Sequence, residues 1–467
     1  MVEDADTLDP TFGQTLGGRQ VFANLCEKLY DIDGSAEVVP QLATELPTLS
    51  EDGLTVTIPL RDDAVFNDGT PFDAEAVKTS LDRHREHPRS ARAGELAPVT
   101  EVSVADEYTV ALTLATPYSP LAAVLADRSG MILSPTALEE LGDDFANDPS
   151  CVAPFSFVER TVGDRIVLEK SDEYYDADEV LIQRVVMRPI PDAAVRVANF
   201  RSGELDIIDR IPTPDYETLA GTDSVETIEA PSLGHDSVVL NVSSGPFQDE
   251  RVRQAFALSI DREQLNETVY GGLYTASCQP FSEDSAYFLD QQECPERDVE
   301  AARALLEEAG VPTPVEVGLL VLNDTLSSRR AELIQAQAAE AGFEVRVDAT
   351  ESGTLISNAA EGTFDAVILT WSGRVDPDAN VSVFQATDGS QNFAKASDPE
   401  IDDLLEQAKA TADVDERKAI YGEVWELATQ RGNEVVLAIP TLLVGHQDDV
   451  EGLEIYGDGL IRLKGVS

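Results

Sequence analysis

The sequence predicts an α/β protein of more than one domain. Its 467 residues correspond to two to four domains at the usual ~100–200 residues each. A hydrophobic share of 42% is enough to build real cores. In the second half, helix-like and strand-like segments alternate: residues 301–310 and 327–342 read as helices closed by glycine, between strand-like 315–322 and 343–347. There is no fixed-period repeat, no low-complexity block and no run approaching the ~18 apolar residues of a membrane span.

From the N-terminus, MVEDADTLDP shows neither a basic nor an apolar region, so no signal or anchor is expected within it. Asp9-Pro10 leads through a glycine loop into residues 19–30, where Val21, Phe22, Leu25 and Leu29 lie near helical spacing. Asp31-Ile32-Asp33-Gly34 reads as a turn, since the other ligand positions and the closing Glu of a calcium loop are missing. Residues 54–60 alternate as a strand after the turn Glu51-Asp52-Gly53. A second turn at residues 67–71 precedes Asp73, an N-cap for a helix starting at Ala74. His84 and His87, within DRHREHPRS, are expected at a solvated helix end. Residues 365–370 form a buried strand that delivers Trp371 and Arg374 to a turn. Two amphipathic helices, 398–408 and 415–430, and two late strands, 435–439 and 442–445, complete the chain.

The charge narrows the function. Eighty-eight acids against 33 Lys plus Arg give a net charge of −55, and only seven of the basic residues are Lys. Such a surface repels phosphate backbones and anionic lipid heads, so no nucleic-acid partner is expected. The acids are spread along the chain, as on a solvated surface in a salty or extracytoplasmic setting. Four cysteines form no CxxC, and the four histidines are scattered, so no metal site and no cofactor are expected. Cys278 and Cys294 flank a largely polar segment before a helix and are expected to pair. Closing a loop of that length is worth ~3 kcal/mol in the chain-entropy account.

Residues 42–83, LATELPTLSEDGLTVTIPLRDDAVFNDGTPFDAEAVKTSLDR, resemble the signature of the family 5 extracytoplasmic solute-binding proteins, the peptide and nickel receptors of ABC importers. Further matching blocks follow in the family's order: residues 109–121 with 131–135, 201–206, 239–241 with 252–262, and 371–380 with Asn392. Cys151 and Val152 stand where the family has a glycine-rich turn. The resemblance implies a two-lobed periplasmic-binding-protein-like fold, with an extra α/β domain in the first lobe and a hinge between lobes that close on a ligand. The expected divisions are 1–38, 151–236 and 435–467 for the discontinuous first lobe, 39–150 for the extra domain and 237–434 for the second lobe. It also implies a disulfide between Cys26 and Cys151, which both replace usual family residues in one lobe. The expected partners are a small-molecule or peptide ligand and the membrane subunits of an ABC importer. A monomer is expected, in the periplasm or lipid-anchored at the cell surface.

The ligand-binding residues implied by the resemblance are Trp371, Ser372, Gly373 and Arg374, with Asn392, Met131, His235, Gln14 and Thr15. Asn392 and Asn241 can equally stabilise turns. In peptide receptors of this family the third position after the Trp is commonly an Asp that pairs with the ligand ammonium; here it is Arg374. A cation there favours a carboxylate or another acceptor. The rival reading is a secreted hydrolase of a small peptide or glycoside. No GxSxG, HExxH or GxxxxGKS/T motif supports it, and with 88 acids no pair of carboxylates can be singled out. No catalytic residue is therefore expected.

Overall fold

Eight α-helices begin at an aspartate whose carboxylate accepts a backbone N–H of the first turn: Asp73, Asp192, Asp249, Asp261, Asp298, Asp324, Asp398 and Asp413. An N-cap of this kind satisfies one of the donors a helix start leaves orphaned and is worth ~1 kcal/mol. Part of the acid excess is thus built into helix starts. In this computed structural model, which describes residues 1–467, the chain forms two compact units. The first comprises Met1–Ala230 and Leu442–Ser467, the second Pro231–Thr441.

In the first unit, Leu16–Leu25 is helical, shorter than the 19–30 stretch expected from periodicity. The helix stops at Cys26, which is extended and joined to Cys151 with Cα atoms 5.0 Å apart. Thr48–Leu49, Thr55–Pro59, Thr109–Leu114 and Val99–Asp106 form a four-stranded sheet in that spatial order. The helix Ala74–Glu86 covers it, burying Val77 and Leu81 with Val56, Ile58, Val110 and Leu112 in one core. A three-stranded antiparallel sheet follows, Phe155–Thr161, Arg165–Lys170 and Arg184–Met187. Asp31 is the central residue of the short strand Tyr30–Ile32, not part of a turn or a metal loop. Burial would raise its pKa, but Lys28 and Arg462 outweigh burial and hold it at about 2.

His84 corrects the sequence expectation. It is fully buried, on the same helix face as Val77, Ser80 and Leu81. Its Nε2 lies 2.9 Å from the Met131 carbonyl, which can only accept, so Nε2 carries the proton. Nδ1 then accepts from the Thr11 hydroxyl at 3.0 Å. Burial pushes its pKa down to about 4 from 6.5.

Glu27, in the same unit, is shifted the opposite way. The Tyr174 and Tyr175 hydroxyls donate to its two oxygens at 2.6 and 2.9 Å, but burial prevails and raises its pKa from 4.5 to about 7. A raised carboxyl holds its proton better in the folded state, so its contribution is full below pH 4.5 and is lost as pH rises to about 7. His84 has the opposite sign: its contribution is full above pH 6.5 and is lost as pH falls towards 4. The two slopes offset each other. Glu27→Gln should therefore raise stability at pH 7.5 by up to about 3 kcal/mol and steepen the loss on acidification. Urea midpoints at pH 5 and pH 7.5 check this. An equal change between the two pH values in wild type and variant would refute it.

The second unit is a mixed six-stranded sheet in the spatial order Thr275–Ala276, Glu434–Ile439, His235–Leu240, Ala366–Trp371, Val315–Leu322 and Phe343–Thr350. The last three are mutually parallel and the others antiparallel to their neighbours. Residues 435–439, expected in the first lobe, are instead hydrogen-bonded into this sheet against His235–Leu240. Every residue of that strand is buried, so its pattern fits either sheet equally. The helices Val299–Ala309 and Thr325–Ala341 end at Gly310 and Gly342, both left-handed, as the sequence suggests. Cys278 and Cys294 are joined, and the Trp425 indole donates to the Cys278 carbonyl at 2.8 Å.

Candidate functional site

In the second unit, His235 and Trp371 sit opposite one another at the ends of adjacent antiparallel strands. The chain crosses itself tightly there. A Cβ on Gly234 would stand 1.8 Å from the Trp371 carbonyl oxygen, and one on Gly373 (φ +75°) would stand 2.2 Å from the Leu233 carbonyl carbon. Only glycine at both positions lets the two backbones approach, and this turns the loop after Trp371 sharply.

Asn380 organises that loop. Its Oδ1 accepts from the Trp371 indole N–H at 2.9 Å and from the Arg374 backbone N–H at 2.8 Å, while its Nδ2 donates to the Arg374 carbonyl at 2.7 Å. The Phe384 ring meets the indole edge-on at 5.3 Å. The Arg374 guanidinium lies 4.8 Å from the Trp371 ring centroid and donates to the Gly373 carbonyl at 2.6 Å and the Ser372 hydroxyl at 3.3 Å. Trp371, Ser372, Gly373 and Arg374 are thus brought together, with the cation over the ring. The next carboxylate, Asp376, is gripped by both Nη atoms of Arg417 at 2.9 Å. Burial raises Asp378 to about 6, and it accepts from the Ser382 hydroxyl.

His235 is buried against Phe384, with Nε2 3.0 Å from Glu434, whose other oxygen accepts from Gln385 at 2.7 Å. Asn392 is committed to its own loop: Nδ2 donates to the carbonyls of Ala386, Thr387 and Ala396, and Oδ1 accepts from the Ala396 N–H. Asn241 likewise ties its turn to the carbonyls of Gly362 and Phe364.

The first unit holds the other expected residues. Gln14 is exposed, and its backbone N–H donates to Asp6 at 2.8 Å. Thr15 caps the helix Leu16–Leu25 by accepting from the Gly18 N–H, and its hydroxyl donates to Asp6. Met131 packs in a core with Phe22, Leu133, Phe145 and the Cys26–Cys151 bridge, so its side chain serves packing. Near this segment lies a feature missed from the sequence. Arg92 and Arg128, both 3% exposed, donate to the Gly13 carbonyl at 3.1 and 2.9 Å. Arg19, 5% exposed, pairs with Asp127 at 3.3 Å, and Arg92 with Glu95 at 2.6 Å. Three buried guanidiniums beside the Gln14–Thr15 segment are uncommon without a purpose, because burying charge is costly. Their separation in sequence hides them. No three His, Cys, Asp or Glu side chains are grouped so as to hold a metal ion.

Residues 37–393 match the profile of the bacterial extracellular solute-binding proteins, family 5. The chain belongs to that family. This solute-binding protein is 27% identical over 464 residues to the glutathione-binding protein GsiB of Salmonella paratyphi A, covering 97% of this chain and 90% of that one. Among solved structures, it resembles the periplasmic binding protein DppA of Helicobacter pylori in complex with the peptide STSA, with TM-score 0.91, 24% identity and coverage of 99% and 96%. It also resembles AgaA of A. tumefaciens R10 in complex with agropinic acid, with TM-score 0.88, 26% identity and coverage of 100% and 97%. The α/β, two-lobed binding-protein fold expected from the sequence is therefore the one it has. Its function is to bind a solute outside the cytoplasm for delivery to an ABC importer. The relatives named are binding proteins and lend the hydrolase alternative no support. No helix of the protein is long and apolar enough to cross a membrane.

Proposed function

We propose that this solute-binding protein captures a small carboxylate-bearing solute, peptide-like or an organic acid, and does so without catalysis. The observation that carries the reading is Arg374. It stands at the position where the resemblance leads one to expect an acid, and it is held over Trp371 in the second unit. A guanidinium offers forked donors that match a carboxylate, and the indole supplies an apolar wall beside them. Ser372 and Gly373 shape the same turn. In the first unit the buried arginines Arg19, Arg92 and Arg128 hold the segment beside Gln14 and Thr15, with their charge balanced by Asp127 and Glu95. His235, Met131 and Asn392 act from behind, as packing and loop supports.

Glutathione and agropinic acid, named for two relatives, both carry carboxylates and suit this reading. The net charge of −55 speaks against nucleic-acid partners, and we take the protein to act as a monomer, periplasmic or anchored by lipid. The test is to incubate the protein with the solute released from it on denaturation and recover that solute by mass spectrometry. Binding without catalysis returns an unchanged acidic molecule. A converted product would revive the hydrolase alternative.

A further inference from the structure

Resting on the reading of Trp371 and Arg374 as the ligand-contacting pair, we propose that Asn380 is their positioning residue. One side-chain amide fixes the indole and the Arg374 backbone relative to each other and so sets how the cation is presented. A single acceptor, Oδ1, receives both the Trp371 indole N–H and the Arg374 N–H, while Nδ2 closes the third bond to the Arg374 carbonyl.

Asn380 is itself held. It is 5% exposed and lies in the first turn of the helix Asp378–Gln385. The segment leading to it is clamped, because Asp376 accepts from both Nη atoms of Arg417 and from the Asp378 N–H at 2.9 Å. The indole is further braced by Phe384, on the same helix as Asn380. A site organised before its ligand arrives loses less freedom on binding, which is how a residue with no ligand contact can govern affinity. Losing the amide leaves two N–H groups without their acceptor and frees the ring on which the Arg374 cation lies.

The chain's two tryptophans make this measurable. Trp425 donates its indole N–H to the Cys278 carbonyl, away from the loop, and serves as an internal reference. In 15N-labelled protein, with the indole resonances assigned by Trp371→Phe, Asn380→Ala should speed exchange of the Trp371 indole proton at least tenfold and leave that of Trp425 unchanged. Asn380→Asp keeps the acceptor and should restore most of the protection. A variant that merely unfolds would expose both indoles. Affinity is read with reduced glutathione as the probe, and Asn380→Ala should weaken it about as much as Arg374→Ala does. Unchanged Trp371 exchange in Asn380→Ala overturns the proposal. So does faster exchange with full affinity while Arg374→Ala binds poorly. Equal measurable affinity in wild type and both variants would instead fail the carboxylate reading, and in that case, or if glutathione does not bind, the exchange data alone decide the role of Asn380.

Discussion

Gly234→Ala is expected to destabilise the second unit by on the order of 4 kcal/mol or more. The added methyl would stand 1.8 Å from the Trp371 carbonyl oxygen and 2.9 Å from the Gly373 amide nitrogen, and both are backbone atoms that cannot swing aside. Accommodating it means separating His235–Leu240 from Ala366–Trp371, which are paired along six residues at the centre of the sheet. Gly353→Ala is the control: it lies in the helix Ser352–Glu361 with nothing within 4 Å of the added carbon. There alanine should gain up to about 1 kcal/mol from helix propensity, less than the full interior value because the position is in the first turn. Urea unfolding of the two variants measures the contrast. A Gly234→Ala protein as stable as Gly353→Ala would refute the close crossing on which the loop after Trp371 is built.

Arg374→Ala is expected to weaken binding of the acidic solute tenfold or more. A hydrogen bond to a charged group contributes ~1.5–3 kcal/mol, and each ~1.4 kcal/mol is a factor of ten in affinity. Stability should change little, because the contact with Trp371 is a partly exposed cation–π pair worth ~0.5–1 kcal/mol. Arg374→Asp should bind the acid still more weakly, since it replaces attraction by repulsion, and should improve binding of a free-amine peptide. Calorimetry on the recovered solute checks both directions. A fall in affinity matched by a large loss of stability would return Arg374 to a structural role.

Local rules made much of this fold readable. Asp73 before Ala74 marked a helix start, Gly310 and Gly342 marked helix ends, and alternation marked the strands, because capping, left-handed backbone and burial period are short-range effects. Both cysteine pairs could be named, one from spacing and one from a family departure. His84 reads as solvated because its charged neighbours dominate the string of letters. Yet it follows Ser80 by four residues and Val77 by seven, the spacing of the buried face, so the signal was present. The membership of Glu434–Ile439 was beyond reach, since a wholly buried strand carries no mark of which sheet it completes. The site divides in the same way. Trp371 and Arg374 can be picked out as neighbours in sequence, whereas the stacking of one on the other and the amide of Asn380 beneath them depend on how the loop folds, and the cluster of Arg19, Arg92 and Arg128 arises from contacts between distant segments.

The central claim is that a cation at Arg374 selects a carboxylate. Its most direct test is a calorimetric cycle with the recovered solute and its carboxyl-amidated form, each titrated into wild type and Arg374→Ala. The account predicts that wild type prefers the free acid at least tenfold and that Arg374→Ala loses most of that preference. An acid preference of the same size in both proteins would contradict it.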